Sequence, residues 1–193
     1  GSPTWAGPAL CEGFGAADAS DTADGHGGKP TGGPDEIMLA CFDDMVSQVG
    51  EGTGWRLPKA DRDLLSQRRD GHLAHGATLW GGNLAMVVSL LGTPWWPDIE
   101  GGVLFLEDVG EHPYRVERML LQLLQAGVLA RQKAVVLGQF TEYKLGPHDK
   151  GFNLAKVVNG LRAQLKKVPV LTGLPFGHVP TKVLLPVGRK VDL

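Results

Sequence analysis

Apolar residues recur three and four positions apart over two long stretches, and that spacing predicts two amphipathic helices. In the first, Val116, Met119, Leu120, Leu123 and Leu124 line one face. Pro113 suits the opening turn of this helix and Gly127 its stop. In the second, Leu154, Val157, Val158, Leu161 and Leu165 follow Asn153, a good N-cap. Short continuous apolar runs at residues 102–106, 134–140 and 168–171 read as buried strands. A further run at 182–187 is a candidate fourth strand, meeting a turn at Gly188. Residues 83–91 predict a buried helix closed by Gly92. Upstream, Asp35 is placed to cap a helix bearing Ile37, Met38, Cys41, Phe42 and Met45. The intervening residues 50–76 are polar and punctuated by Gly, Pro and Arg; a short helix and a loose hairpin both fit. Residues 15–34 are mostly Ala, Asp, Gly, Thr and Pro, a composition that favours a mobile loop.

Strand, helix, strand, helix, strand with short connections predicts a parallel α/β arrangement. In such sheets ligands meet the chain at the carboxyl ends of the strands. Glu107 ends the first predicted strand, Gln139 and Phe140 end the second, and Gly173 to His178 follow the third. These groups, far apart in sequence, are expected on one edge of the sheet.

Composition narrows the classes. The 193 residues suffice for one core, or one core with an appended lobe. Lysine and arginine total 19 against 21 acids, a formal net charge of -2, so the basic excess of a nucleic-acid partner is missing. No apolar run reaches membrane-spanning length, and no signal peptide is evident at the start. The two cysteines, Cys11 and Cys41, suit free thiols in a reducing compartment, so a cytoplasmic location is expected.

Two side chains stand out. His178 ends the segment Gly173-Leu174-Pro175-Phe176-Gly177-His178, where glycine and proline shape the loop and an imidazole able to take and give a proton follows directly. A surface histidine in a turn is the bland reading. Glu107 leaves a buried strand, where a carboxylate is costly unless paired. It can pair with Arg115 or Arg118, or orient a histidine that becomes cationic. Asp108 and Glu111 precede the helix at Pro113, so capping of that helix is the better account of them. A metal site among Glu107, Asp108, Glu111 and His112 ranks low, because no second histidine falls at ligand spacing. His72 and His75 are expected in solvent. Gly81-Gly82-Asn83 lacks the Lys and Ser or Thr of a phosphate loop. Trp80, Trp95 and Trp96 read as core or groove walls.

Several ordered stretches resemble the LD-carboxypeptidases, the murein tetrapeptide carboxypeptidases. They are Thr78-Leu79-Trp80-Gly81-Gly82-Asn83-Leu84, Leu91-Gly92-Thr93-Pro94, Leu104-Phe105-Leu106-Glu107-Asp108, Pro113-Tyr114-Arg115-Val116-Glu117-Arg118-Met119-Leu120, Gly173-Leu174-Pro175-Phe176-Gly177-His178 and Leu185-Pro186-Val187-Gly188. The resemblance implies a swivelling β/α-type C-terminal domain over residues 35–193, with a small, mostly parallel sheet flanked by helices. Residues 1–34 would be a linker following the family's N-terminal domain. It further implies a Ser-Glu-His triad, carried over to Glu107 and His178, with no metal or other cofactor. The family's nucleophile sits in a Gly-x-Ser-Asp turn of the N-terminal domain, and no such motif occurs in these residues. The implied reaction releases terminal D-alanine from a murein tetrapeptide. The implied partners are that substrate, the N-terminal domain and a second copy of the chain, without nucleic acid or membrane. A non-catalytic association module and a related peptidase acting on peptide–nucleotide conjugates are the alternatives.

Overall fold

The protein is described from a computed structural model covering residues 2–7, 35–47, 54–66 and 71–193. The expectation of a mobile loop at 15–34 lies outside these residues. Among the described residues the strands are β1 (Thr4–Ala6), β2 (Ala77–Asn83), β3 (Val103–Val109), β4 (Ala134–Thr141), β5 (Val170–Leu171), β6 (Leu185–Val187) and β7 (Lys190–Val191). The α-helices are α1 (Glu36–Ser47), α2 (Lys59–Ser66), α3 (Leu84–Ser89), α4 (Pro113–Gln125) and α5 (Leu154–Gln164).

Five strands form one sheet in the order β5-β4-β3-β2-β7. β2, β3, β4 and β5 run parallel, and β7 pairs antiparallel with β2. The mostly parallel α/β sheet expected from the strand–helix alternation is therefore present. The central stretches of β3 and β4, Val103–Leu106 and Ala134–Leu137, are continuous apolar runs because both faces are covered there. Leu104, Leu106, Val135 and Leu137 pack with Val116, Leu120 and Leu123 of α4 and Val157 and Leu161 of α5. The alternate residues Val103, Phe105, Ala134 and Val136 face a second cluster with Leu171, Leu174, Val183 and Leu185.

The local signals for the helices hold. Asp35 Oδ1 accepts the amides of Ile37 and Met38 and so caps α1. Asn83 and Asn153 cap α3 and α5 through their side chains. Of the two readings open for residues 50–76, a short helix occurs at α2. Three features depart from expectation. Residues 77–83 are a strand as well as the lead-in to a helix: Gly81, with φ of +131°, brings the β2 backbone so close to β3 that a Cβ would lie 1.9 Å from the Phe105 carbonyl oxygen. The predicted fourth strand shrinks to β6 and leaves the main sheet to pair antiparallel with β1. Glu107 does not end β3, which continues to Val109.

Candidate active site

Glu107 lies beside an irregularity in the sheet. The β3–β4 register passes from Leu106↔Leu137 to Asp108↔Phe140, so Glu107 stands opposite two residues, Gly138 and Gln139. The extra residue belongs to β4, while Glu107 keeps the face of Val103 and Phe105 that strand alternation gives it. Two glycines then make room for the carboxylate. A Cβ on Gly138 would lie 2.5 Å from the Phe176 carbonyl oxygen and 3.3 Å from the Glu107 Cβ. Gly177, at φ of +130°, would place one 3.1 Å from Glu107 Oε2. The Pro-Phe-Gly-His segment can therefore lie directly against the carboxylate only because residue 177 lacks a side chain.

His178 follows, with Nδ1 3.4 Å from Glu107 Oε2. The glutamate side chain is 7% exposed and the imidazole 48%, so the pair spans the wall between core and solvent. Burial is the main influence on Glu107 and raises its pKa above the ordinary carboxylate value. His178 and a hydrogen bond from Asn83 oppose the rise, and the neighbouring Asp108 adds to it. When ionised, Glu107 only accepts, so Nδ1 carries the hydrogen and Nε2 keeps its lone pair. The 3.4 Å separation is long for a hydrogen bond.

The loop that carries His178 is tied along its length to the carboxyl end of β4. Gln139 N donates to the Phe176 carbonyl at 2.8 Å and Gln139 Nε2 to that of Leu174 at 3.0 Å. Thr141 Oγ1 donates to the His178 carbonyl at 3.3 Å. Phe176 packs edge-on against Phe105, with ring centroids 5.2 Å apart. The convergence expected from strand order is thus present: the ends of β3 and β4 and the loop after β5 meet on one edge.

Other candidates fall elsewhere. Glu107 pairs with neither Arg115 nor Arg118; Arg115 is held by Glu111 at 3.7 Å and the Tyr114 hydroxyl at 3.3 Å. Asp108 does cap a helix, but α3 rather than α4: its oxygens accept from Ala85 N at 3.0 Å and Asn83 Nδ2 at 2.8 Å. The cap of α4 is His112, whose Nε2 also lies 3.2 Å from Asp149. His72 and His75 are exposed and stack at 4.3 Å. Trp80 is buried and donates to Gln132 Oε1, whereas Trp95 is 79% exposed. No group of three or more His, Cys, Asp or Glu among the described residues is arranged to hold a metal ion. No helix among them is long and apolar enough to cross a membrane. A cavity of about 640 Å³ lies against the sheet face of the second cluster, lined by Trp55, Val103, Phe105 and Val136; neither Glu107 nor His178 lines it.

Sequence reasoning missed Asn83 as a partner of Glu107, and missed Gly138. It also missed Asp61, a fully buried acid on α2 that accepts from Arg162 and Thr172. The strand that ends in Asn83, beside the strand that ends near Glu107, was the available signal for the first.

The model of the LD-carboxypeptidase C-terminal domain matches residues 76–193, the segment that contains the whole Glu107–His178 pair. The chain belongs to this family. The murein tetrapeptide carboxypeptidase of Pseudomonas aeruginosa is 34% identical over 136 residues, covering 69% of this chain and 43% of that relative. The crystal structure of the muramoyltetrapeptide carboxypeptidase from Oxalobacter formigenes superposes with a TM-score of 0.74 at 38% identity, over 100% of this chain and 57% of that one. The microcin C7 self-immunity protein of Escherichia coli is 30% identical over 119 residues, 58% of this chain and 32% of that relative. The chain thus spans less than half the length of these two curated relatives and matches their C-terminal domain.

Proposed function

We propose that Glu107 and His178 are two members of a Ser-Glu-His site in a murein tetrapeptide carboxypeptidase that serves peptidoglycan recycling. The serine is supplied by an N-terminal domain of the kind that precedes this one in the family. One observation carries the reading: a buried carboxylate meets Nδ1 of a histidine whose ring is half exposed at the carboxyl edge of the sheet.

The chemistry follows from that placement. The serine Oγ attacks the carbonyl joining the L centre of the diamino acid to D-alanine, and His178 Nε2 takes the hydroxyl proton. Glu107 stabilises the imidazolium, the more so because its surroundings exclude water. The tetrahedral intermediate collapses as Nε2 returns the proton to the leaving amine of D-alanine. Water then attacks the acyl-serine, using the same imidazole as base.

The 193-residue chain alone is expected to release no D-alanine from murein tetrapeptide. Addition of a separately expressed N-terminal domain carrying the serine is expected to restore release, and His178→Ala to abolish it. Dimerisation of this chain without restored hydrolysis would instead support the association module. A second reading has its own observation. Trp95 presents an indole at 79% exposure, a surface on which a nucleobase can stack. The self-immunity protein has been solved with aspartyl sulfamoyl adenosine, and likeness to it at 27% identity then favours a peptide–nucleotide conjugate as substrate. Faster hydrolysis of such a conjugate than of murein tetrapeptide by the reconstituted protein would establish it.

A further inference from the structure

β5 is two residues long and lies at the edge of the sheet, yet the loop bearing His178 starts from its end. One side of β5 pairs with β4 through Val135↔Val170 and Val136↔Leu171. On the other side the backbone groups that would face solvent or another strand are taken by side chains. Arg162 of α5 donates to the Val170 carbonyl through Nε at 3.0 Å and Nη2 at 2.7 Å. Asp61 of α2 accepts from Thr172 N at 2.8 Å and Thr172 Oγ1 at 2.8 Å. Trp55 Nε1 donates to the Thr172 carbonyl at 3.1 Å. Asp61 also pairs with Arg162, so one carboxylate joins α2, α5 and the first residue beyond β5.

This acid is 0% exposed, and the residues that surround Thr172 leave its backbone little freedom. Gly173, at φ of +82°, faces Pro58 and Trp55 of the same segment as Asp61, which a Cβ there would meet at 3.6 and 3.9 Å. From Thr172 the chain runs six residues to His178, and its next ties are to Gln139 and Thr141 of β4 and, through the Pro175 carbonyl, to Val183 N at 2.9 Å. Residues 54–66 lie outside the stretch matched by the family model, although they grip the root of the loop inside it.

We propose that Asp61 is a positioning residue for His178: by fixing Thr172 against Arg162 it sets where the loop starts, and so holds the imidazole Nδ1 on Glu107. The proposal rests on the reading of Glu107 and His178 as a working pair. Asp61 touches neither of them and acts only through the loop.

The test reads the imidazole directly. In the full chain labelled with ¹⁵N-histidine, long-range proton–nitrogen spectra report which ring nitrogen of His178 carries the hydrogen, the signal being assigned with His178→Gln. The native chain is expected to favour the Nδ1–H tautomer, because Nδ1 faces the carboxylate. Glu107→Ala is expected to shift the population toward Nε2–H. Asp61→Ala and Asp61→Asn are expected to shift it severalfold in the same direction. Leu123→Ala, a core cavity on the α4 side of the sheet, is expected to lower stability and leave the tautomer unchanged. Should Asp61→Ala fail to fold, Asp61→Asn and Thr172→Val decide, the latter removing one of the three bonds to Asp61 and predicting a partial shift. Folded Asp61 variants with the native tautomer, where Glu107→Ala alters it, would overturn the proposal and leave the site intact. An unaltered tautomer in Glu107→Ala would overturn the pair itself, and the positioning role with it.

Discussion

Two buried carboxylates bracket the loop that carries His178. Asp61 stands at its root and Glu107 at its tip. Asp61 meets a guanidinium and two donors on Thr172, so its charge is matched where it lies. Glu107 is nearly as buried but meets only an imidazole at 3.4 Å and an asparagine amide, and burial outweighs both. The difference is one of purpose. A carboxylate that is fully satisfied holds backbone in place. On the proposed mechanism, one left short of partners is ready for the positive charge that His178 takes up during proton transfer.

The largest expected effect tests the tip. In the protein reconstituted with its serine-bearing domain, Glu107→Gln keeps the shape and removes the charge. The rate of D-alanine release is expected to fall on the order of 10³–10⁴-fold, as when a triad carboxylate becomes an amide. Stability is expected to move the other way. A raised pKa means that the folded state holds the proton more tightly than the unfolded chain does. Stability is therefore lost as pH rises from the ordinary glutamate value through the raised one, and the loss is complete above both. Glu107→Gln removes that loss, so its gain in urea midpoint is expected at about pH 8 and is expected to vanish at about pH 4. An equal gain at both pH values would show that burial of the charge is not its source.

At the root the expected sign reverses. Asp61→Ala strands Arg162 and leaves Thr172 N without its acceptor. Removing one partner of a buried pair costs about 3–5 kcal/mol, and Arg162, at 26% exposure, recovers some of this from water. A loss of about 3 kcal/mol in urea unfolding is expected, with no gain at either pH. The glycines sharpen the same contrast. Gly177→Ala adds backbone strain at φ of +130° to a Cβ 2.9 Å from the Gln139 carbonyl oxygen and 3.1 Å from Glu107 Oε2. Gly173→Ala adds strain at φ of +82°, but its Cβ meets Pro58 at an ordinary 3.6 Å. Each strained residue costs about 1–3 kcal/mol. Gly177→Ala is expected at or above the top of that range and Gly173→Ala near the bottom, read from their unfolding midpoints.

What the sequence reveals follows the same division. The tip was legible because its parts follow short-range rules. Apolar runs marked β3 and β4, helical spacing marked α4 and α5, and parallel order placed Glu107 and His178 on one edge. The bulge opposite Glu107 was not legible, since it depends on how Gly138 and Gln139 pair across the sheet. Nor was the root. Asp61 and Asp63 are the same residue two positions apart on one short helix; the first is fully buried and the second exposed. Only the fold separates them, because the arginine that pairs with Asp61 is 101 residues away. Asp108 shows an intermediate case: a capping role was readable from an acid before a helix, but the amide it caps, that of Ala85, lies 23 residues earlier in the chain.

That third carboxylate also yields the smallest expected effect. Asp108 is buried like the other two, yet its partners are an amide side chain and the backbone amides of Ala85 and Val109. Asp108→Asn keeps one acceptor oxygen but turns the other into a donor, which faces either the Ala85 amide or the Asn83 Nδ2. One cap bond to α3 or the hold on Asn83 is then lost, a cost of about 1 kcal/mol. Its consequence should still reach the tip. Asp108 helps raise the Glu107 pKa by repulsion and steadies the Asn83 that lowers it. Neutralising Asp108 removes the repulsion, so the Glu107 carboxyl is expected to titrate lower than in the native chain, followed by carboxyl ¹³C shifts. A carboxyl that instead titrates higher would mean that the lost hold on Asn83 outweighs the lost charge. The cap would then serve Glu107 more through geometry than through repulsion.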